Sequence, residues 1–216
     1  MSPFITFEGI DGSGKTTQAR LLYALLSEKG IRSLLVREPG TTALGERLRR
    51  LLSTPNLATD STPIEPMAEV FLFAAARAQL VQEIILPSLL KGVIVISDRY
   101  IHSTAAYQGY GRGIDLGTLD TINSVSTQGL KPDLIILLDL EPEEALTRRG
   151  MAKGARRFEE EELAFHQRIR RGYLDMAAQD PQRWLIVDAT LARKALSEDI
   201  WRRVRASLPV NKAAKG

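Results

Sequence analysis

Phe4-Ile5-Thr6-Phe7-Glu8-Gly9-Ile10-Asp11-Gly12-Ser13-Gly14-Lys15-Thr16-Thr17 is the stretch on which the reading of this chain turns. From Gly9 to Thr16 it has the spacing G-x-x-x-x-G-K-[ST], with an apolar, strand-like run before it and a helical pattern after it, the context a phosphate-binding loop requires. Glycines let the backbone curl until successive N–H groups point at phosphate oxygens, and the following helix adds its positive N-terminal end. Gly9, Ile10, Asp11, Gly12, Ser13, Gly14, Lys15, Thr16 and Thr17 are therefore expected to hold the phosphates of a nucleoside triphosphate. Lys15 would reach the β and γ phosphates, and the Thr16 hydroxyl would help to hold Mg²⁺. A glycine-rich strand-to-helix turn with a chance lysine is the bland alternative, and the context disfavours it.

Outward from this loop, short apolar runs recur at Phe4–Phe7, Ser33–Val36, Val93–Ile96, Leu134–Leu138 and Trp184–Val187. Nearly continuous in apolar character and separated by helical patterns, they read as buried parallel strands of an α/β sheet. Helices are expected over Lys15–Lys29, with Gly30 as the stop, over Ala43–Leu52, and over Pro66 to about Leu86, ending before Pro87. Further helical patterns cover Leu116–Ser126, Pro142–Arg149, Glu160–Ala178 and Leu191–Leu208. One domain is expected over 1–208, with 209–216 as a flexible tail.

The chain has 216 residues, 44% hydrophobic and 25% charged, which excludes a disordered or fibrous protein. It has no cysteine, so disulfides, thiolate metal sites and thiol nucleophiles are excluded, and a reducing, cytoplasmic setting fits. No uninterrupted apolar run approaches the ~18 residues of a membrane span, and the first residues do not read as a signal peptide. The formal net charge is +3, but residues 201–216 carry five basic residues and no acid, leaving −2 for the first 200. A second basic cluster, Arg148, Arg149, Lys153, Arg156 and Arg157, has no acid before Glu159.

A phosphate-binding loop serves switch GTPases, motors, partition ATPases and small-molecule kinases, so other segments must decide between them. The sole Asn-Lys pair, Asn211-Lys212, lies in the tail, which disfavours a guanine-reading GTPase. Arg37-Glu38-Pro39-Gly40 follows the second strand, where α/β sheets bind ligands, and leads to a helix carrying Arg47, Arg49 and Arg50. Asp98-Arg99-Tyr100 follows the third strand: the acid suits Mg²⁺ and the arginine a phosphoryl group, although a structural ion pair is equally allowed. Phe73 and Arg77, four apart on one helix face, suit stacking on and hydrogen bonding to a base, or simple core packing. His102-Ser103-Thr104-Ala105-Ala106-Tyr107-Gln108-Gly109 adds hydroxyls and an amide, with His102 read as an ordinary surface or packing residue.

In this order the segments resemble bacterial thymidylate kinases (dTMP kinases), of the P-loop nucleoside monophosphate kinase family. The resemblance is carried by Phe7–Thr17, Arg37–Gly40, Glu69–Val81, Asp98–Tyr100, Ala106–Gly109 with Gly111-Arg112-Gly113, Pro132–Leu134, Leu138-Asp139 and Val187–Thr190. It implies a three-layer P-loop NTPase fold, a five-stranded parallel sheet flanked by helices, and a short mobile lid at about 148–159. It implies transfer of the γ-phosphoryl group of ATP to dTMP with Mg²⁺, by a cytoplasmic homodimer that binds neither nucleic acid nor membrane. By position, Phe73 would stack on thymine, Arg77 would donate to a thymine carbonyl, Thr104 and Gln108 would contact the base, and Tyr107 would screen the sugar 2′ position. Arg49 and Arg99 would grip the dTMP phosphate. Asp11, Glu38 and Pro39 would line the same pocket, Thr16 and Asp98 would hold the metal, and Asp188-Ala189-Thr190 would flank adenine.

Joining two anions makes alignment and cationic stabilisation the main catalytic tasks, and this P-loop contains no arginine. Arg157 is the expected lid cation, with Arg149, Lys153 and Arg156 as alternatives; Lys15, Arg99 and Asp11 complete the catalytic set. The chain departs from the family pattern at Thr41, where a glycine is usual, and at Arg156, where an acid is usual. Alternatives are another P-loop nucleotide or deoxynucleoside kinase, and a regulatory P-loop ATPase whose basic tail binds nucleic acid.

Overall fold

In a computed structural model, residues 1–53, 64–150 and 162–208 are described. Five parallel strands, β1 (Phe4–Glu8), β2 (Ser33–Arg37), β3 (Ile94–Asp98), β4 (Leu134–Asp139) and β5 (Trp184–Asp188), form one sheet in the order β2-β3-β1-β4-β5. β1 sends its chain across β3 to β2, and β3 sends its chain across β1 to β4. The crevice of an α/β sheet opens where neighbouring strands leave in opposite directions, here between the carboxyl ends of β1 and β3.

Helices cover both faces. α1 (Lys15–Glu28) buries Ala19, Leu22 and Leu26 against Ile5, Phe7 and Ile96. It stops at Gly30, where the Gly30 N–H reaches Ser27 O at 2.9 Å and the Ile31 N–H reaches Leu26 O at 2.9 Å, the paired bonds of a Schellman end. α9 (Arg193–Ser207) packs beside α1 on this face, whereas α8 (Leu163–Gln179) lies on the other, where its Tyr173 reaches Glu8. On the opposite face lie α3 (Pro66–Leu80) and α4 (Leu86–Leu90), whose Leu80 and Leu89 pack with Phe4, Val36, Val95 and Tyr100. α2 (Ala43–Ser53), α5 (Ile101–Thr104), α6 (Leu116–Thr127) and α7 (Pro142–Gly150) complete the regular elements among the described residues.

Two helical readings are corrected. The helix expected to end before Pro87 continues to Leu90 through a π turn at Val81–Ile85. A proline inside an α-helix lacks its N–H and strikes the carbonyl four residues back; in the wide turn the Leu86 N–H reaches back five residues to Val81 O, which re-spaces the backbone ahead of Pro87. The segment after Arg99, read as a supplier of hydroxyls and an amide and assigned no helix, is helical: α5 runs into a second π turn, Ala105–Gly111. A third correction concerns Pro66–Leu90, which at 25 residues is long and apolar enough to cross a membrane by length and composition. Its fully buried and internally paired Glu69 and Arg77 mark it as a helix of this core.

Candidate active site

The loop from Gly9 to Gly14 leaves β1 at the crevice and ends at the first turn of α1. Gly9, Gly12 and Gly14 have φ of 136°, 86° and 93°, which L residues rarely adopt, and a Cβ at Gly9 would lie 2.5 Å from Leu138 O on β4. The loop is thus pressed against the sheet, with the Ser13 N–H turned back to Ile10 O at 3.3 Å. Ile10 contributes its backbone only: its side chain is in the core, and its carbonyl accepts from Lys15 Nζ at 2.7 Å. Burial, aided by the Arg99 charge, pushes the Lys15 ammonium well below the ordinary lysine range. Thr16 Oγ1 donates to Asp98 Oδ2 at 2.5 Å, so the expected metal pair is in contact across the crevice.

Arg99, the first residue after β3, has φ +77°, a conformation uncommon outside glycine and concentrated at functional sites. Its N–H is held by Phe7 O at 3.0 Å, and its guanidinium is aimed by Ser103 Oγ at 3.0 Å, by Tyr107 OH at 3.2 Å and by a close ion pair with Asp11. Burial opposes its charge, yet Tyr107, Tyr173, Asp98 and Glu8 outweigh that and hold it above the usual arginine range. Behind it stands Glu8, which sequence reading left without a role. Its carboxylate has no exposure and accepts from Tyr100 N at 2.8 Å, Ser103 Oγ at 2.6 Å and Tyr173 OH at 3.0 Å. Burial raises its pKa to about 7 against these bonds and the Arg99 charge.

A cavity of about 540 Å³ joins this phosphate end to a second wall on α3. Lys15, Thr16, Thr17, Glu38, Pro39 and Arg49 line it, as do Phe73, Arg77, Asp98, Arg99, Thr104, Tyr107 and Gln108. Asp11, Gly12 and Gly14 complete the expected set on its surface, while Gly9, Ile10 and Ser13 lie beneath. Arg77 is 1% exposed and held at each of its three nitrogens: Nε donates to Glu38 Oε1 at 2.6 Å, Nη2 to Thr104 Oγ1 at 2.5 Å, and Nη1 closely to Asn123 Oδ1. Burial raises the Glu38 pKa despite the Arg77 charge beside it. Asn123, from α6, was invisible in sequence because nothing local links it to Arg77, 46 positions away.

Arg49 reaches Pro39 O at 3.3 Å. Thr41, where the family pattern has glycine, takes φ 67°, held by its hydroxyl accepting from Arg37 N at 2.8 Å. His102 is a packing residue, edge-on to Trp184 at 4.9 Å, with burial lowering its pKa to about 3. Arg148 is an anchor, bonded to Ala189 O at 2.9 Å and Glu144 at 2.6 Å. Lys153, Arg156, Arg157 and Glu159 lie outside the described residues, as does the Arg149 side chain.

Comparisons with known proteins bear on the family and the fold. A family model described as thymidylate kinase matches residues 7–200. A thymidylate kinase from Dehalococcoides mccartyi is 47% identical over 208 residues, covering 96% of this chain and 98% of its own. One from Carboxydothermus hydrogenoformans is 50% identical over 198 residues, covering 92% and 93%. The crystal structure of thymidylate kinase from Ehrlichia chaffeensis, 35% identical, superposes with a TM-score of 0.73 over 94% of this chain and 98% of that one, and carries the same P-loop NTPase fold. With the loop, the crevice and these relatives in agreement, the chain belongs to the thymidylate kinase family.

Proposed function

We propose that the cavity is where this ATP-dependent phosphotransferase passes the γ-phosphoryl group of ATP to dTMP, giving ADP and dTDP. The observation that carries the site assignment is the continuity of one cavity from the P-loop to the wall of Phe73, Arg77 and Gln108. ATP phosphates lie along Gly9–Thr17, with Lys15 on the β and γ groups. dTMP lies in line with them: its base against Phe73 between Arg77, Thr104 and Gln108, its sugar beside Tyr107, its phosphate between Arg49 and Arg99. Glu38 fixes the Arg77 guanidinium by its short bond, and Pro39 supplies the carbonyl that orients Arg49.

A phosphate oxygen of dTMP attacks the γ phosphorus while the bridge to ADP breaks, and charge spreads over the equatorial oxygens. Arg99, pre-aimed by Asp11, Tyr107 and Ser103, brings a cation to that charge without reorganising at the moment of reaction. Arg157 is retained as a second cation on the sequence resemblance alone. Thr16 and Asp98 suit Mg²⁺, since they place hard oxygen donors side by side and leave the remaining positions to phosphate and water. When bound, the ion neutralises phosphate charge and draws the two anions together.

The reading includes a single kinase domain over 1–208 with a lid at 148–159, a cytoplasmic setting, and a homodimer. Exposed apolar residues on α3 and α6, Phe71 at 58% and Val125 at 76%, support the dimer. Light scattering of twice the monomer mass is the expected result. For the reaction, ADP release from ATP is measured with dTMP, dUMP, dCMP, thymidine or DNA added. Stimulation is expected to be strongest with dTMP, and its absence would sink the assignment.

A further inference from the structure

The base end of the cavity is built from two facing stripes of side chains, each spaced by four residues. On α3 they are Glu69, Phe73 and Arg77; on the run from α5 through its π turn they are Thr104, Gln108 and Arg112. The stripes are cross-linked: Arg77 Nη2 donates to Thr104 at 2.5 Å, Gln108 Nε2 to Glu69 Oε1 at 2.7 Å, and Arg112 Nε to that same oxygen at 3.2 Å. Phe73, Arg77, Thr104 and Gln108 line the cavity, and Glu69 lies behind them with no exposure. A carboxylate is costly to bury, and this one is bonded to the pocket wall at Gln108.

A glutamine amide is ambiguous, because one end donates, the other accepts, and half a turn exchanges them. A carboxylate removes that ambiguity, having only acceptors to offer. Glu69 takes the NH₂ end of Gln108, so the end left for the cavity is the carbonyl Oε1. Arg77 has donors only, so a base lying against Phe73 meets one fixed donor and one fixed acceptor. Thymine offers the matching pair, a carbonyl beside N3–H. Cytosine offers the inverse, an amino group beside an unprotonated N3.

We propose that Glu69 is a positioning residue that sets the polarity of Gln108 and so makes the site select a pyrimidine with N3–H over cytosine. The proposal rests on reading Gln108 as a base contact. The test is kcat/KM for dTMP and for dCMP, measured on the parent, Glu69→Leu, Glu69→Asp and Gln108→Leu, with melting temperature as the check on folding. Expected is a fall of about tenfold in the dTMP to dCMP ratio for Glu69→Leu, through a higher dTMP KM with kcat nearly kept. Glu69→Asp, whose carboxylate is withdrawn by one methylene, should give a smaller fall and serves if Glu69→Leu does not fold. A folded Glu69 variant with an unchanged ratio, or with both substrates weakened in proportion, overturns the proposal. If Gln108→Leu also leaves the ratio unchanged, the reading of Gln108 has failed; if Gln108→Leu alone lowers it, Glu69 alone has.

Discussion

Lys15 carries a charge that its surroundings disfavour until an anion arrives. Burial and Arg99 push its ammonium down, and the Ile10 carbonyl is its close partner, so phosphate oxygens would supply the missing compensation. Lys15→Met should cut kcat by at least ~100-fold while leaving the melting temperature unchanged or higher, because a poorly solvated cation is removed. The Arg77–Glu38 pair, with side chains 1% and 3% exposed, behaves oppositely. Arg77→Met should cost about 3–5 kcal/mol in urea unfolding, because it strands a buried carboxylate, and adding Glu38→Met should restore at least half of that. For Arg157→Ala the expected fall in kcat is on the order of 100-fold or more, and a value within about threefold of the parent would remove it from the mechanism.

Among the elements, α8 holds the π turn that carries Tyr107 and Gln108. Gly172 on α8 is packed against Tyr110 so closely that a Cβ there would overlap the ring, and a Cβ at Gly111 would lie 2.7 Å from Phe165. Gly172→Ala sets two effects against each other. Helix propensity favours alanine by about 1 kcal/mol, whereas overpacking costs about 1–3. The overlap is with Cβ and Cγ of Tyr110, the stem of the side chain, which moves only with its backbone, so net destabilisation is expected, with a raised dTMP KM as the π turn is pushed off α8; higher stability with unchanged KM would refute this. The strands were legible because buried parallel strands are continuous apolar runs. Yet every one extends past its apolar run to a polar residue: Glu8, Arg37, Asp98, Asp139 and Asp188. An apolar criterion stops a strand where its chemistry begins. The P-loop and the Phe73–Arg77 face were legible because their spacing is local. Asn123, Tyr173 and the helix after Arg99 were not: the first two act across the chain, and the third is held by packing of Gly109 and Gly111 that no period announces.

For the whole molecule, Glu8 links the site to overall stability. Its pKa rises from 4.5 in the unfolded chain to about 7 when buried, so the native state binds the extra proton between those values. The resulting stability is fully present below about pH 4.5, declines as pH rises through about 7, and amounts to roughly 3 kcal/mol at full extent. Glu8→Gln removes this dependence, so the stability of the variant minus that of the parent should grow from pH 5 to pH 8; a constant difference would contradict the burial argument. The sheet itself has a further consequence. The loop bearing Lys15 and the turn bearing Arg99 spring from strands paired Phe7 to Asp98, so the span between the donor's grip and the acceptor's grip is a lattice constant of the ladder. Loops can tune who enters, but the gauge of the reacting pair is cut into the main chain. On heating, turnover should therefore keep its mechanism up to the point where the ladder itself gives way, and then stop with it.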